Sequence, residues 1–136
     1  MSVELARLSL ERRPELAPLA RDTAAAVARF LMLSPEDAAD LELAVGEAVA
    51  NALCYGDRNP VEVSFTQDNE TLIIDIVGNT RGFLTRENPA MPTTGAESGR
   101  GMPILSKLMD SVRLATVEDG VALRLEKRLS ARETPS

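Results

Sequence analysis

The sequence predicts an α/β two-layer sandwich, a mostly antiparallel sheet with helices packed on one face. Three observations carry the expectation. Two helical stripes follow one another and meet at Ser34-Pro35, the apolar period falls to two after Pro60, and an Asp119-Gly120 pair separates two alternating runs. Strands joined by short turns pair antiparallel, and two amphipathic helices need a shared apolar surface.

Residues 2–10 alternate imperfectly through Val3, Ala6, Leu8 and Leu10, which reads as a first strand at the sheet edge. From Pro14 to 32, Leu16, Leu19, Ala20, Thr23, Val27, Phe30 and Leu31 recur at three and four and form one face of a helix. Ser34-Pro35-Glu36-Asp37 then supplies a capping hydroxyl, a proline at the first helical position and acids against the helix dipole. The second helix covers 35–55, turns Leu41, Ala44, Val45, Ala48, Ala52 and Leu53 inward, and stops at Gly56-Asp57.

Val61, Val63 and Phe65 alternate with Glu62, Ser64 and Thr66 in a strand, and Gln67-Asp68-Asn69-Glu70 makes the turn. The run Leu72 to Val77 is apolar on both faces except at Asp75, as suits a central strand. Residues 78–98 show no period, and structureless stretches of that length are usually lids or binding loops. A short helix opens at Gly101-Met102-Pro103 with Ile104, Leu105, Leu108 and Met109 inward. Val112, Leu114 and Thr116 run out to the Asp119-Gly120 turn, and Val121, Leu123 and Leu125 run back.

The 136 residues suit a single domain over 1–129 with a loose tail at 130–136, domains commonly spanning about 100–200 residues. With no histidine and one cysteine, Cys54, the chain lacks a Ser-His-Asp triad, a histidine phosphoacceptor, a thiolate zinc cluster and an internal disulfide. A formal charge of -6 disfavours direct nucleic-acid binding and favours basic or arginine-bearing proteins as partners. No apolar run approaches the roughly 18 residues that span a bilayer, and the N-terminus lacks a secretory pattern, so no membrane association and a cytoplasmic location are expected. Cys54 reads as a buried filler and Tyr55 as a packing residue.

Glu47 and Asn51 stand four apart on the second helix and project from one side of it, near Leu43, Ala50 and Cys54. A carboxylate can accept a proton and an amide oxygen can ligate a hard cation, although by spacing alone such a pair is more often a solvated helix edge. Gly78 and Gly82 follow the central strand, and Gly95, Gly99 and Gly101 precede a helix. Backbone free of side chains at a helix start lets several amides converge on phosphate oxygens. Arg86 and Arg100 are further candidate phosphate contacts.

Glu47-Ala-Val-Ala-Asn51-Ala52, Gly82-Phe83, Gly99-Arg100-Gly101-Met102 and the closing strand from Gly120 to Leu129 resemble the anti-sigma-factor serine kinases, over about residues 3–129. These belong to the GHKL histidine-kinase-like ATPase superfamily and have the Bergerat fold. The resemblance implies an ATP-dependent protein serine kinase that phosphorylates a serine on an antagonist protein and sequesters a sigma factor in a bacterial partner-switching pathway, commonly as a homodimer. It further implies that Glu47 acts as the base, that Asn51 ligates Mg2+, and that Gly99, Arg100 and Gly101 cradle the phosphates of ATP beneath a lid at 83–98, with Gly82 in the first glycine box. Two positions depart from the pattern. Gly78 stands where the family carries an adenine-binding aspartate, and Val121 follows Gly120 where it carries threonine. Asn79, or Asp75 after a register shift, is the substitute contact; the alternative is a nucleotide-free module of the same fold that regulates its partner by sequestration only.

Overall fold

The computed structural model describes residues 1–56, 58–78, 104–118 and 120–129. Strand β1 (Ser2–Leu10) leads through a 3-10 turn (Pro14–Leu16) into α1 (Ala17–Phe30) and α2 (Pro35–Tyr55). Strands β2 (Val61–Asp68) and β3 (Thr71–Val77) follow. A short helix over 104–108, α3, precedes β4 (Ser111–Val117) and β5 (Gly120–Arg128). The five strands lie in the order β1-β2-β3-β5-β4, every neighbouring pair antiparallel. β1 is therefore an edge and β3 is central, as the patterning predicts.

Local chemistry sets the boundaries. The Ser34 hydroxyl accepts the Asp37 N–H at 3.0 Å, satisfying one of the free amides that open α2. Asn69 takes the left-handed conformation at φ 58, which a short polar side chain tolerates, so β2 runs on to Asp68 and the predicted four-residue turn narrows to Asn69 and Glu70. Gly120 starts β5 at φ +131, a conformation that L side chains rarely adopt.

One row of the sheet faces the helices. Val63 pairs with Ile76 and Ile76 with Leu123; Phe65 pairs with Ile74 and Ile74 with Leu125. All six are buried in the core with Leu41, Val45, Val49 and Leu53 of α2. From α1 the buried row is Ala20, Ala24, Val27 and Ala28, whose small side chains let the two helices approach closely. The predicted stripe is corrected here, since Leu19 is 49% and Phe30 69% exposed. At 3.6 residues per turn both lie roughly 100° round the helix from the alanine row. Pro18, near the start of α1, fits a helix opening, and the three residues ahead of Ala17 wind as a 3-10 turn instead of extending the α-helix to Pro14.

Three smaller expectations also change. Ile104 is exposed while Leu105 and Met109 enter the core, because α3 is a single short helical stretch with one inward side. Cys54 is exposed, being off the buried row of α2. Tyr55 is 72% exposed, because at this helix end Gly56 and not Tyr55 makes the close contact with the sheet.

Candidate functional site

The inward row of α2 holds the helix against β2 and β3 and fixes which side remains open. Glu47 is exposed and Asn51 is half-buried on that open side. Four residues of helix separate them by about 6 Å along the axis. Glu47 is thus open to solvent, and Asn51 is partly covered by the protein.

One residue beyond Asn51, the last turn of α2 meets the exit of β3. A Cβ on Gly78 would stand 3.3 Å from the Ala52 Cβ and 2.8 Å from Val61 Cγ2. A Cβ on Gly56 would fall 2.0 Å from the Gly78 carbonyl oxygen and 2.3 Å from that of Ala52. Backbone touches backbone at this junction, and glycine at both positions is what permits it. Arg12, in the link that follows β1, fastens the same corner: its guanidinium donates to the Gly56 carbonyl, and its backbone N–H donates to Asn59 Oδ1 at 2.9 Å. Helix end, strand exit and the turn into β2 are held as one unit, from which the chain departs after Gly78.

Asp75 does not serve this junction. Its carboxylate accepts two hydrogen bonds from Arg124, at 2.7 and 2.9 Å, across the β3–β5 pair. Strand alternation puts Asp75 on the face opposite Ile74 and Ile76, away from the helices. The hydrogen bond to Asp75 raises the Arg124 pKa above its ordinary value. Val121 is half-buried in β5, paired with Thr116, and brings no hydroxyl.

Gly78 thus packs on Ala52, the residue after Asn51, while Glu47 lies one turn further back on the open side of α2. The remaining sequence candidates, Asn79, Gly82, Arg86, Gly95, Gly99, Arg100 and Gly101, lie outside the described residues, as do the segment 83–98, Asp119 and the tail 130–136. Among the described residues no group of three or more histidine, cysteine, aspartate or glutamate side chains is arranged to hold a metal ion. No described helix is long and apolar enough to cross a membrane.

The tertiary structure adds residues that the motif analysis did not single out. Val61, which alternation places in a strand, also fills the space beside Gly78. Lys127 extends the inward alternation of Leu123 and Leu125 with a charged residue, and that polar break in an apolar row was the available signal.

The sequence profile of the histidine kinase-like ATPase domain family matches residues 10–127. The serine-protein kinase RsbW of Bacillus velezensis is 28% identical to this chain over 142 residues, covering 95% of the chain and 88% of that protein. The RsbW of Bacillus pumilus is 27% identical with the same coverage. An anti-sigma F factor from Thermoanaerobacter sp. is 28% identical over 122 residues, covering 82% of the chain and 85% of the relative.

Proposed function

The chain belongs to the histidine kinase-like ATPase domain family, and on that premise we propose that it is an ATP-dependent protein serine kinase that also acts as an anti-sigma factor. The relatives named as serine-protein kinases and as an anti-sigma factor support both halves of this reading. Its proposed partners are a sigma factor, held by sequestration, and an antagonist protein that offers a serine. A homodimer working in the cytoplasm is the assembly the family resemblance suggests.

The observation that carries the reading is the placement of Glu47 and Asn51 one turn apart on the open side of α2. The donor chemistry fits the proposed ligand at its phosphate end. Magnesium takes hard oxygen donors, usually one or two from protein with water and phosphate completing the shell, and Asn51 offers one such oxygen. At the base end, Gly78 offers only backbone. When bound, ATP with its magnesium supplies the phosphoryl group and neutralises the charge that builds on it.

Within this reading Glu47 accepts the proton of the incoming serine hydroxyl as that oxygen turns towards phosphorus. Exposure of Glu47 leaves room for a protein substrate, whose serine must arrive from solvent. Asn51 would hold the cation, and Gly99, Arg100 and Gly101 are assigned to the phosphates.

A second reading, a nucleotide-free module that regulates by sequestration alone, is favoured by one specific observation. The close packing of Gly78 on Val61 and Ala52 leaves no side chain, and no room for one, at the position assigned to the base contact. Calorimetric titration of the purified chain with ATP, with and without magnesium, separates the two. Saturable, magnesium-dependent binding is expected of the kinase; absence of binding by any nucleotide, with sigma-factor binding intact, selects the second reading.

A further inference from the structure

Among the described strands β1 pairs with β2 alone, so one row of its backbone N–H and C=O groups faces outward. Its register sets Val3, Ala6 and Leu8 opposite Gln67, Phe65 and Val63, on the helix face of the sheet. Glu4, Arg7 and Ser9 stand opposite Thr66, Ser64 and Glu62, on the other face. A bulge between Glu4 and Ala6 shifts the alternation by one residue and so brings Glu4 and Arg7 to the same side. Val3 is exposed and Leu8 only half-buried, although both lie on the face that the helices cover.

The flank of α1 beside this edge is apolar as well. A Cβ on Gly46 of α2 would stand 2.9 Å from Arg21 Cγ, which marks the flank of α1 turned to α2. Leu19 and Phe30 lie roughly 160–180° round the helix from Arg21, so these two exposed side chains face away from α2, on the β1 side of the molecule.

Edge strands are commonly kept solitary by bulges and by charge. Here the charges are of opposite sign. Arg7 donates to both Glu4 carboxylate oxygens, at 2.8 and 2.9 Å, in an exposed pair that costs little to exchange. If two copies of β1 are laid antiparallel about a two-fold axis between Leu5 and Ala6, Glu4 stands opposite Arg7 of the second copy, Val3 opposite its Leu8, and Ser2 opposite its Ser9. Residues directly opposite in an antiparallel pair share a face, and in this register each of these pairs does: apolar meets apolar on the helix face, and acid meets base on the other. A slip of one residue sets Val3 against Arg7 or Ser9, which point the opposite way. The patch is thus complementary to itself, as a two-fold contact requires.

We propose that β1 joins two copies of this chain into one continuous sheet, in the register that sets Glu4 against Arg7, with Leu19 and Phe30 of the two α1 helices on the same side of the joint. This gives the homodimer suggested above its surface and rests on that reading.

The test is sedimentation equilibrium of the full chain over a concentration series, with circular dichroism to follow the fold of each variant. Wild type is expected to show a monomer–dimer equilibrium. Glu4→Arg sets like charges opposite one another twice and should weaken the dimer about tenfold, and adding Arg7→Glu should return it to within about threefold of wild type. Val3→Lys, at an exposed position, should also weaken the dimer while the chain stays folded. A dimer whose affinity Glu4→Arg leaves unchanged overturns the proposal, and so does a loss that the double exchange fails to reverse. If Glu4→Arg does not fold, Val3→Lys decides in the same way. Wild type that stays monomeric at every concentration overturns the homodimer reading together with this one; a dimer that survives the charge reversal overturns only the β1 surface.

Discussion

Gly78 lies against Val61 so closely that a Cβ built on it would stand 2.8 Å from Cγ2 and 3.0 Å from Cγ1 of that valine. Both atoms belong to a stiff β-branched side chain that is fully buried, so they cannot swing aside. Gly78→Asp is therefore expected to lose about 1–3 kcal/mol of stability through overpacking. Paired with Val61→Ala, the same change should recover part of that loss. Chemical denaturation of the single and double variants reads the difference, and a fully stable Gly78→Asp protein would show that the junction relaxes freely.

The same packing bears on base recognition. With no side chain at Gly78 and no hydroxyl at Val121, few directional bonds reach a purine ring from the described residues. ATP and GTP are expected to compete within about tenfold, since one hydrogen bond of about 1.4 kcal/mol is worth a factor of ten. Competition against a fluorescent ATP analogue measures the ratio. A strong preference for ATP would assign the contact to Asn79 or to another group.

Glu47 and Asn51 should separate binding from chemistry. Glu47→Ala is expected to abolish phosphate transfer to the antagonist while leaving MgATP affinity nearly unchanged, because the carboxylate acts on the hydroxyl. Asn51→Ala should weaken magnesium-dependent binding as well. If both variants match wild type in every nucleotide assay, the pair is only a polar helix edge.

Phe65 is the largest fully buried side chain among the described residues, at the centre of the row shared by β2, β3 and β5. Phe65→Ala should cost about 3–5 kcal/mol, from lost burial and the cavity left behind. A loss below about 1 kcal/mol in urea unfolding would mean that the core collapses onto the site.

Ser34→Ala removes the hydroxyl that caps α2 through the Asp37 N–H. The expected loss is about 1 kcal/mol, with no direct effect on nucleotide binding. Replacement by Asp, which can also accept that bond, should restore stability.

Elements with a strong period or an explicit signal were legible from the residues. The helix from Pro35 to Tyr55 carries its own cap and stop, and the alternation of Val61, Val63 and Phe65 declares a strand with one dry face. Phe30 and Leu19 fit the predicted stripe yet stand exposed, because an apolar residue at the edge of a helical stripe has the same spacing as one at its centre, and only the direction of approach of α2 distinguishes them. Asp75 looked available as a base contact until its pairing with Arg124, 49 residues away in sequence, placed it on the outer face.

What the sequence by itself determined is the order and kind of the elements, the helix that carries Glu47 and Asn51, and the family, because these follow from local periodicity, capping chemistry and short motifs. Only the tertiary structure decided that Gly78 has Val61 and Ala52 for neighbours, that Arg12 fastens Gly56, and that Lys127 reaches both Leu108 and Asp37. Each of these joins residues distant along the chain. Their distances are set by how the helix layer seats on the sheet, and no local propensity encodes that.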